Sequence, residues 1–257
     1  MTDSPKLYTE FAKFYDRLES QYRDYDLEAK WLTSIIEAHE SRRVIDISCG
    51  TGNHLSALIQ NAGNREFIAM DSSVEMVGIT RSKTKASNLE ILLGDFLWPP
   101  LVQSSFDLAI CMYWSLAGLD HALVKKLFLQ VNTILRNGGI FVFDVENAEG
   151  IKENLLNEPF IDAFFEDKDG SSVIRANLSK KITPDLVDWH AYYLIEDGGV
   201  SKLSTDAMKL RFYSKDFLSK TLDECGFSLH NVYSAPFVEY REHSPSLYFV
   251  AEKRKQT

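Results

Sequence analysis

Val44-Ile45-Asp46-Ile47-Ser48-Cys49-Gly50-Thr51-Gly52-Asn53-His54 decides the fold class of this chain. A short apolar run ends in a Gly-Thr-Gly turn. A helical pattern opens at once, with Asn53 as cap and Leu55, Leu58 and Ile59 on one face. Strand, glycine turn and helix N-terminus are the parts of a nucleotide-binding first βα unit. Glycine lets the backbone come close to a ligand where a Cβ would otherwise stand. A dinucleotide fingerprint would carry a third glycine at position 55, and Leu55 stands there. The turn therefore suits a bulkier, less anionic ligand than a pyrophosphate. A plain βα turn with no ligand is the competing reading.

Two further strand ends favour the ligand. Phe67-Ile68-Ala69-Met70 runs into Asp71, nineteen positions past Gly52. A carboxylate at that spacing, at a strand's carboxyl end, can accept both ribose hydroxyls. Ser72 and Ser73 follow and can cap the next helix, which leaves Asp71 for a ligand. Leu89 to Leu93 runs into Gly94-Asp95-Phe96. Asp95 can take an exocyclic amine while Phe96 packs on a base, so three strand ends converge on one adenosine.

VIDISCGTG, MDSSVEM, GDF, FDLAICM and ILRNGGIFVFDV resemble the ordered motifs of the S-adenosylmethionine-dependent methyltransferases of the Rossmann-like class. The resemblance is specific over residues 44–145. Ser48 stands where the common pattern has a glycine. A small residue there, with His54 two positions past the last glycine, resembles the nucleotide-sugar amine N-methyltransferases. The resemblance implies S-adenosyl-L-methionine held by Tyr15, Ser48, Cys49, Gly50, Asp71, Ser72, Met76, Asp95, Phe96 and Met112. It also implies a lid over the cofactor carrying the Phe14-Tyr15 pair.

Strand patterns at 43–48, 66–70, 90–93, 107–112 and 139–145 alternate with helical patterns near 53–61, 73–83 and 121–136. Asp120 is a good cap for the last helix, and Gly138-Gly139 are expected to stop it. Two more strands, about 228–235 and 246–252, complete a seven-stranded, mostly parallel α/β sheet with helices on both faces. Before it, residues 7–20 have the three-four spacing of a helix: Leu7, Tyr8, Phe11, Phe14, Tyr15 and Leu18. Sequence through Phe165 reads as helical or irregular. Ser172–Ser179, Val187–Ile195 and Lys202–Phe212 then read as an antiparallel insertion, with Asp197-Gly198-Gly199 as a hairpin turn. The organisation is one domain over 1–257, with a helical lid at 1–25 and a substrate-covering insertion at 150–213.

The chain has 257 residues and a net charge of −9, without a long basic block. That argues against a nucleic-acid backbone or an anionic membrane as partner. Three cysteines without framework spacing suggest reduced thiols and a cytoplasmic protein, and the start Met-Thr-Asp-Ser-Pro-Lys has no apolar signal region. No apolar stretch approaches a membrane span. The six histidines show no metal-ligand spacing, so no metal is expected.

Methyl transfer from a sulfonium needs alignment and exclusion of water more than acid–base machinery. A neutral amine attacks directly, whereas an alcohol or phenol needs a base or a metal. The expected acceptor is thus a small amine. Tyr15 is the first choice for positioning it, and His121 is a candidate proton acceptor. Tyr8, Tyr113, Trp114, Arg211 and Arg241 are candidates for the substrate mouth. Tyr22 or Tyr25 can reach the methionine carboxylate or be a solvated loop tyrosine. Arg211 can equally be a surface ion pair, and Trp114 can pack under the lid. O-methylation, a non-catalytic S-adenosylmethionine-binding protein and a NAD-binding oxidoreductase are the competing functions. A homodimer is left open.

Overall fold

A computed structural model describes residues 5–60, 63–150, 159–164 and 170–255. Five strands run parallel at the centre: β1 (Arg43–Asp46), β2 (Glu66–Asp71), β3 (Leu89–Leu93), β4 (Phe106–Cys111) and β5 (Leu135–Glu146). Three further strands join antiparallel: β10 (Phe227–Ala235), β11 (Val238–Glu239) and β12 (Ser246–Lys253). Among the described residues the sheet order is β11-β10-β12-β5-β4-β1-β2-β3. The chain runs outward from β1 to β3, then crosses back to β4. The reversal opens a crevice at the carboxyl ends of β1 and β4, where α/β sheets bind ligands.

Each face of the sheet has its own apolar layer. Helices α5 (His121–Ile134) and α6 (Lys215–Glu224) cover one, where Phe128, Phe141, Phe143, Phe227 and Phe249 pack together. Helices α2 (Tyr25–Ala38) and α3 (Asn53–Ile59) cover the other with Trp31, Leu32, Ile36, Leu55 and Leu58. The starts are set by short polar caps: Asp24, Ser73, Asp120 and Ser214 each accept the backbone N–H three residues on.

The eighth strand is the two-residue β11, too short to leave a period-two signature, so the sheet exceeds the seven strands expected. Gly138 and Gly139 do not stop α5. The helix ends at Ile134, and both glycines lie inside β5, where the β4–β5 register shifts between Phe106 and Leu108. Gly138 has φ +77°, and a Cβ on Gly139 would meet the Arg136 carbonyl oxygen at 2.9 Å, so the local bend needs both. The N-terminal stretch is not one helix. Two 3₁₀ turns precede a short α1 (Tyr15–Glu19), and a third follows at Ser20–Tyr22.

The insertion is a second sheet in the order β6 (Phe160–Phe164), β7 (Ser172–Thr183), β8 (Leu186–Asp197) and β9 (Val200–Arg211). Part of the stretch read as helical or irregular is thus strand β6; residues 151–158 and 165–169 lie outside the described residues. Asp197 pairs with Val200 across Gly198 and Gly199, whose φ of +58° and +79° fits a tight hairpin turn. Trp189, Ala191, Tyr193 and Ile195 face inward onto Leu7, Phe11, Phe14 and Leu18. His190 and Tyr192 face the other way. The apolar spacing of residues 7–18 therefore serves the second sheet. Among the described residues no helix is long and apolar enough to cross a membrane, and the three cysteines are free and buried.

The N-terminal segment enters α2 through a buried ion network. The Arg23 guanidinium pairs with Glu28 and Asp144 and donates to the Tyr248 hydroxyl at 2.5 Å. Glu28, 2% exposed, also meets His54 Nε2 at 2.6 Å and accepts from Tyr248 at 2.8 Å. Burial alone would raise the Glu28 carboxyl; the His54 bond and the Arg23 charge bring it down to about 2. The pKa is lowered on folding, so its stabilisation is complete above the unfolded value near 4.5 and is lost as pH falls toward 2. The contribution is on the order of 3 kcal/mol. Urea unfolding of Glu28→Gln should therefore show lower stability than wild type at pH 7 and a smaller loss between pH 5 and pH 3. Parallel pH curves for the two proteins would remove Glu28 from this role.

Candidate functional site

The glycine turn is held open from three sides. Cys49 N donates to the Met70 carbonyl at 2.9 Å, Gly50 N to Asp71 Oδ2 at 2.9 Å, and the Thr80 hydroxyl to the Gly50 carbonyl at 2.8 Å. Gly50 has φ +53°, and nothing lies within 4 Å of where its Cβ would stand. Gly52 has φ +78°, and its Cβ would come 2.8 Å from Thr80 Cγ2. The turn thus needs glycine twice, once for open space and once for close packing.

Above the turn lies a cleft enclosing about 910 Å³ of space between atoms, part of it open to solvent. One end is lined by Asp71, Ser72, Met76, Phe96 and Met112. That end sets a carboxylate beside a small apolar slot. The other end is lined by Tyr25, Asn53 and His54. Tyr8, Tyr15 and Tyr113 ring the mouth, with Tyr15 6.0 Å from Tyr8 and 6.3 Å from Tyr113 between ring centres. Partial burial lifts the Tyr15, Tyr25 and Tyr113 phenols well above the usual tyrosine range, Tyr25 to about 12, and neighbouring acids such as Glu19 add to it; Tyr8 is exposed at the rim. They stay neutral at physiological pH.

The lid is fixed over this cleft by named contacts. Asp16 accepts from the Thr51 hydroxyl at 2.5 Å and the Asn53 amide at 3.0 Å. The Ser73 hydroxyl donates to the Tyr8 carbonyl at 2.6 Å. The Tyr113 hydroxyl donates to Glu19 at 2.6 Å, and Glu19 also pairs with Arg175 of the insertion. Tyr113 and Trp114 both have positive φ, +64° and +55°, the left-handed conformation that bulky residues avoid. The Arg23 guanidinium lies 4.6 Å and 4.8 Å from their rings, and Trp114 N donates to Asp144 at 3.2 Å. Such cation–π contacts, with the backbone bond, offset the strain.

Of the residues singled out from sequence, the cleft brings together Tyr8, Tyr15, Ser48, Cys49, Gly50, Asp71, Ser72, Met76, Phe96, Met112 and Tyr113. Asp71 is not free for a ligand in the way expected. Its oxygens accept Gly50 N and Ser73 N, each at 2.9 Å, so a ligand must use the remaining lone pairs. Asp95 is exposed and closes its own turn by accepting Leu97 N at 2.8 Å. Trp114 packs on Arg23 rather than lining the cleft, and its buried indole N–H has no partner among the described residues.

His121 is removed from the cleft as well. Its ring lies 4.2 Å from that of Phe217, tilted by 38°, and its Nε2 lies 3.7 Å from Asp185. Arg211 pairs with the same Asp185, and Arg241 is exposed, with its backbone N–H on the Ser234 hydroxyl. Neither arginine lines the cleft.

Sequence reasoning assigns Asp46 no role and makes Asn53 the helix cap, whereas Gly52 holds the cap position and Asn53, the first residue of α3, bonds to Asp16 and lines the cleft. Asp46 is 3% exposed, beneath the turn; burial lifts its carboxyl to about 6, against the pull of His54 and the Ser48 N–H. An acid ending the first apolar run was its signal. No three His, Cys, Asp or Glu side chains among the described residues form a metal-ligand group.

Residues 44–139 match the model of a family described as a methyltransferase domain. A protein of Methanocaldococcus jannaschii described as uncharacterized is 31% identical over 156 residues, 60% of this chain and 57% of its own length. The chain thus spans little more than half of that relative. The glycine/sarcosine N-methyltransferase of Aphanothece halophytica is 24% identical over 95% of this chain and 88% of its own length. The crystal structure of a sugar N-methyltransferase from Streptoalloteichus superposes with a TM-score of 0.78 at 20% identity, covering 99% of this chain and 96% of the other. The last likeness is one of fold.

The raised Tyr15 phenol gives a direct test of the cleft's closure. In an absorbance titration, Tyr15→Phe should leave the tyrosinate step near pH 10 unchanged, because Tyr15 ionises only above it. Loss of one tyrosine's amplitude from that step would mean the lid leaves Tyr15 open to water.

Proposed function

We propose that the chain is a Rossmann-like S-adenosylmethionine-dependent methyltransferase, with S-adenosylmethionine as its cofactor, and that it methylates the nitrogen of a small amine; the methyltransferase-domain match over residues 44–139 supports the reading. The cleft fits the cofactor. Gly50 presents backbone where a Cβ would occupy ligand space. Asp71 stands beside the apolar slot of Met76, Phe96 and Met112, which suits a ribose and its base. Tyr25, Asn53 and His54 offer hydrogen-bonding groups to the amino-acid end. Bound there, S-adenosylmethionine supplies a methyl group already activated by the positive sulfur.

The observation that carries the amine reading is the ring of neutral phenols at the mouth. Aromatic faces attract a sulfonium or ammonium cation by about 0.5–2 kcal/mol. None of these phenols is poised to strip a proton from an alcohol at neutral pH. A neutral amine needs no such base. Tyr15 and Tyr113 orient the acceptor, and the lid excludes water. The two N-methyltransferase likenesses point the same way.

Turnover of a metabolite panel, read as S-adenosylhomocysteine formed and as product mass, tests this reading. Amines should give N-methyl products; a panel yielding only O- or C-methyl products would replace it. Asp71→Ala should weaken cofactor binding at least tenfold by calorimetry, since charge-assisted bonds are worth about 1.5–3 kcal/mol each. Unchanged affinity would move the ribose elsewhere. Tyr15→Phe should lower turnover while leaving cofactor affinity nearly intact. Wild-type kinetics for that variant would reduce the ring to packing.

A further inference from the structure

We infer that His54 takes the carboxylate of the cofactor's methionine end, as an imidazolium that donates Nε2–H to Glu28 and Nδ1–H to the ligand. The inference rests on the S-adenosylmethionine reading above. It makes the site selective for a cofactor that keeps its carboxylate.

His54 lines the cleft as the second residue of α3, two positions past the glycine turn. It stands on the β4 side. Its ring centre lies 4.9 Å from that of Tyr25, which lies 6.2 Å from that of Tyr113 in the β4 loop. The nucleoside residues stand on the other side of β1: Asp71 ends β2, and Phe96 follows β3. A nucleoside seated over those two strands directs its amino-acid tail back across the turn, toward His54.

The ring is aimed by a bond at its far end. Nε2 lies 2.6 Å from Glu28 Oε2, while Arg23 and Tyr248 both occupy Oε1. The Glu28 carboxyl, brought down to about 2, is ionised and can only accept, so Nε2 carries a hydrogen. Nδ1 has no bond among the described residues. Only 8% of the side chain is exposed. The nitrogens sealed in without a partner are Arg23 Nε and Trp114 Nε1, so His54 Nδ1 reaches open space, and the space beside His54 is the cleft.

What the cleft lacks decides what Nδ1 meets. Among the described residues no lysine or arginine lines it. His54 is the one lining side chain that can carry positive charge at physiological pH. Neighbouring donors are engaged: the Thr51 hydroxyl and the Asn53 amide bond Asp16, and the Gly50 N–H bonds Asp71. The cofactor's two cationic groups meet phenols and Asp71 here, whereas its carboxylate meets one candidate cation. Glu28 from α2 and Asp46 from β1 face the ring and favour its charged form; Tyr25 from α2 stays neutral. A carboxylate at Nδ1 sets the ring between two anions. A second ring proton satisfies that arrangement, and a bare lone pair would repel it.

Two measurements test the assignment. The first is calorimetry with S-adenosylmethionine and with its decarboxylated analogue, which keeps the sulfonium and the ammonium. Wild type should bind S-adenosylmethionine at least tenfold more tightly. His54→Gln should bind S-adenosylmethionine roughly 10–100-fold more weakly than wild type does, with the analogue's affinity moved by less than about threefold. Equal affinities in wild type would overturn the inference. So would equal losses for both ligands in the variant, which would leave His54 to packing or to the ammonium. The second needs no variant. Nitrogen NMR of wild-type enzyme labelled in histidine, saturated with S-adenosylhomocysteine at pH 7, should show both His54 ring nitrogens protonated, the ring being assigned through its own backbone resonances. A bare Nδ1 in that complex would overturn the inference and leave the cofactor reading intact. Wild type that binds neither S-adenosylmethionine nor S-adenosylhomocysteine would remove both.

Discussion

The Arg23 guanidinium is the joint on which the arrangement depends. Taking an arginine out of water costs several kcal/mol unless its charge and its donors are met. Here two carboxylates, one phenol and the faces of Tyr113 and Trp114 meet its charge and its two terminal nitrogens, while the buried Nε–H has no partner among the described residues. These groups come from α2, the β4 loop, β5 and β12. Only one relative placement of the four satisfies a single planar cation. That placement sets where the N-terminal segment leaves the sheet, and so where Tyr8 and Tyr15 hang over the cleft. It also offsets two left-handed aromatic residues that an unsupported loop would not keep.

The same segment belongs to two cores. Leu7, Phe11, Phe14 and Leu18 complete the inner face of the antiparallel sheet, while Asp16 and Tyr8 bond to the glycine turn and to Ser73 of the main sheet. Glu19 closes the circuit by joining Tyr113 to Arg175. The segment is held by apolar packing on one side and by polar bonds on the other.

The central parallel sheet was legible because its signals are local. Apolar runs, a glycine turn and polar caps each act within a few residues, and Asp24, Ser73, Asp120 and Ser214 cap where such residues should. Asp71 and Phe96 were legible for the same reason, each standing at the end of its own strand. Distance in sequence defeated the rest. His121 and Arg211 are drawn to a shared carboxylate, Asp185, that spacing could not connect to either. Gly138 and Gly139 look like a helix stop, yet β-sheet register uses them as a bend. The aromatic spacing near the N-terminus looks like one helix, yet it breaks into short turns that pack on the second sheet.

The sequence by itself determined a Rossmann-like sheet, its glycine turn and the strand-end residues that suit a nucleoside, because backbone conformation and short-range patterning dictate those. Only the tertiary structure decided which acids are occupied and which is left open. Asp46, Asp71, Asp144 and Glu146 all end or nearly end an apolar strand and look alike in one dimension. Their differences come from burial and from groups more than twenty residues away along the chain: the Gly50 N–H on Asp71, the Arg23 guanidinium on Asp144, and no bonded partner on Glu146 among the described residues. Electrostatic energy depends on separation in space and on the surrounding dielectric, and neither is written in the order of residues.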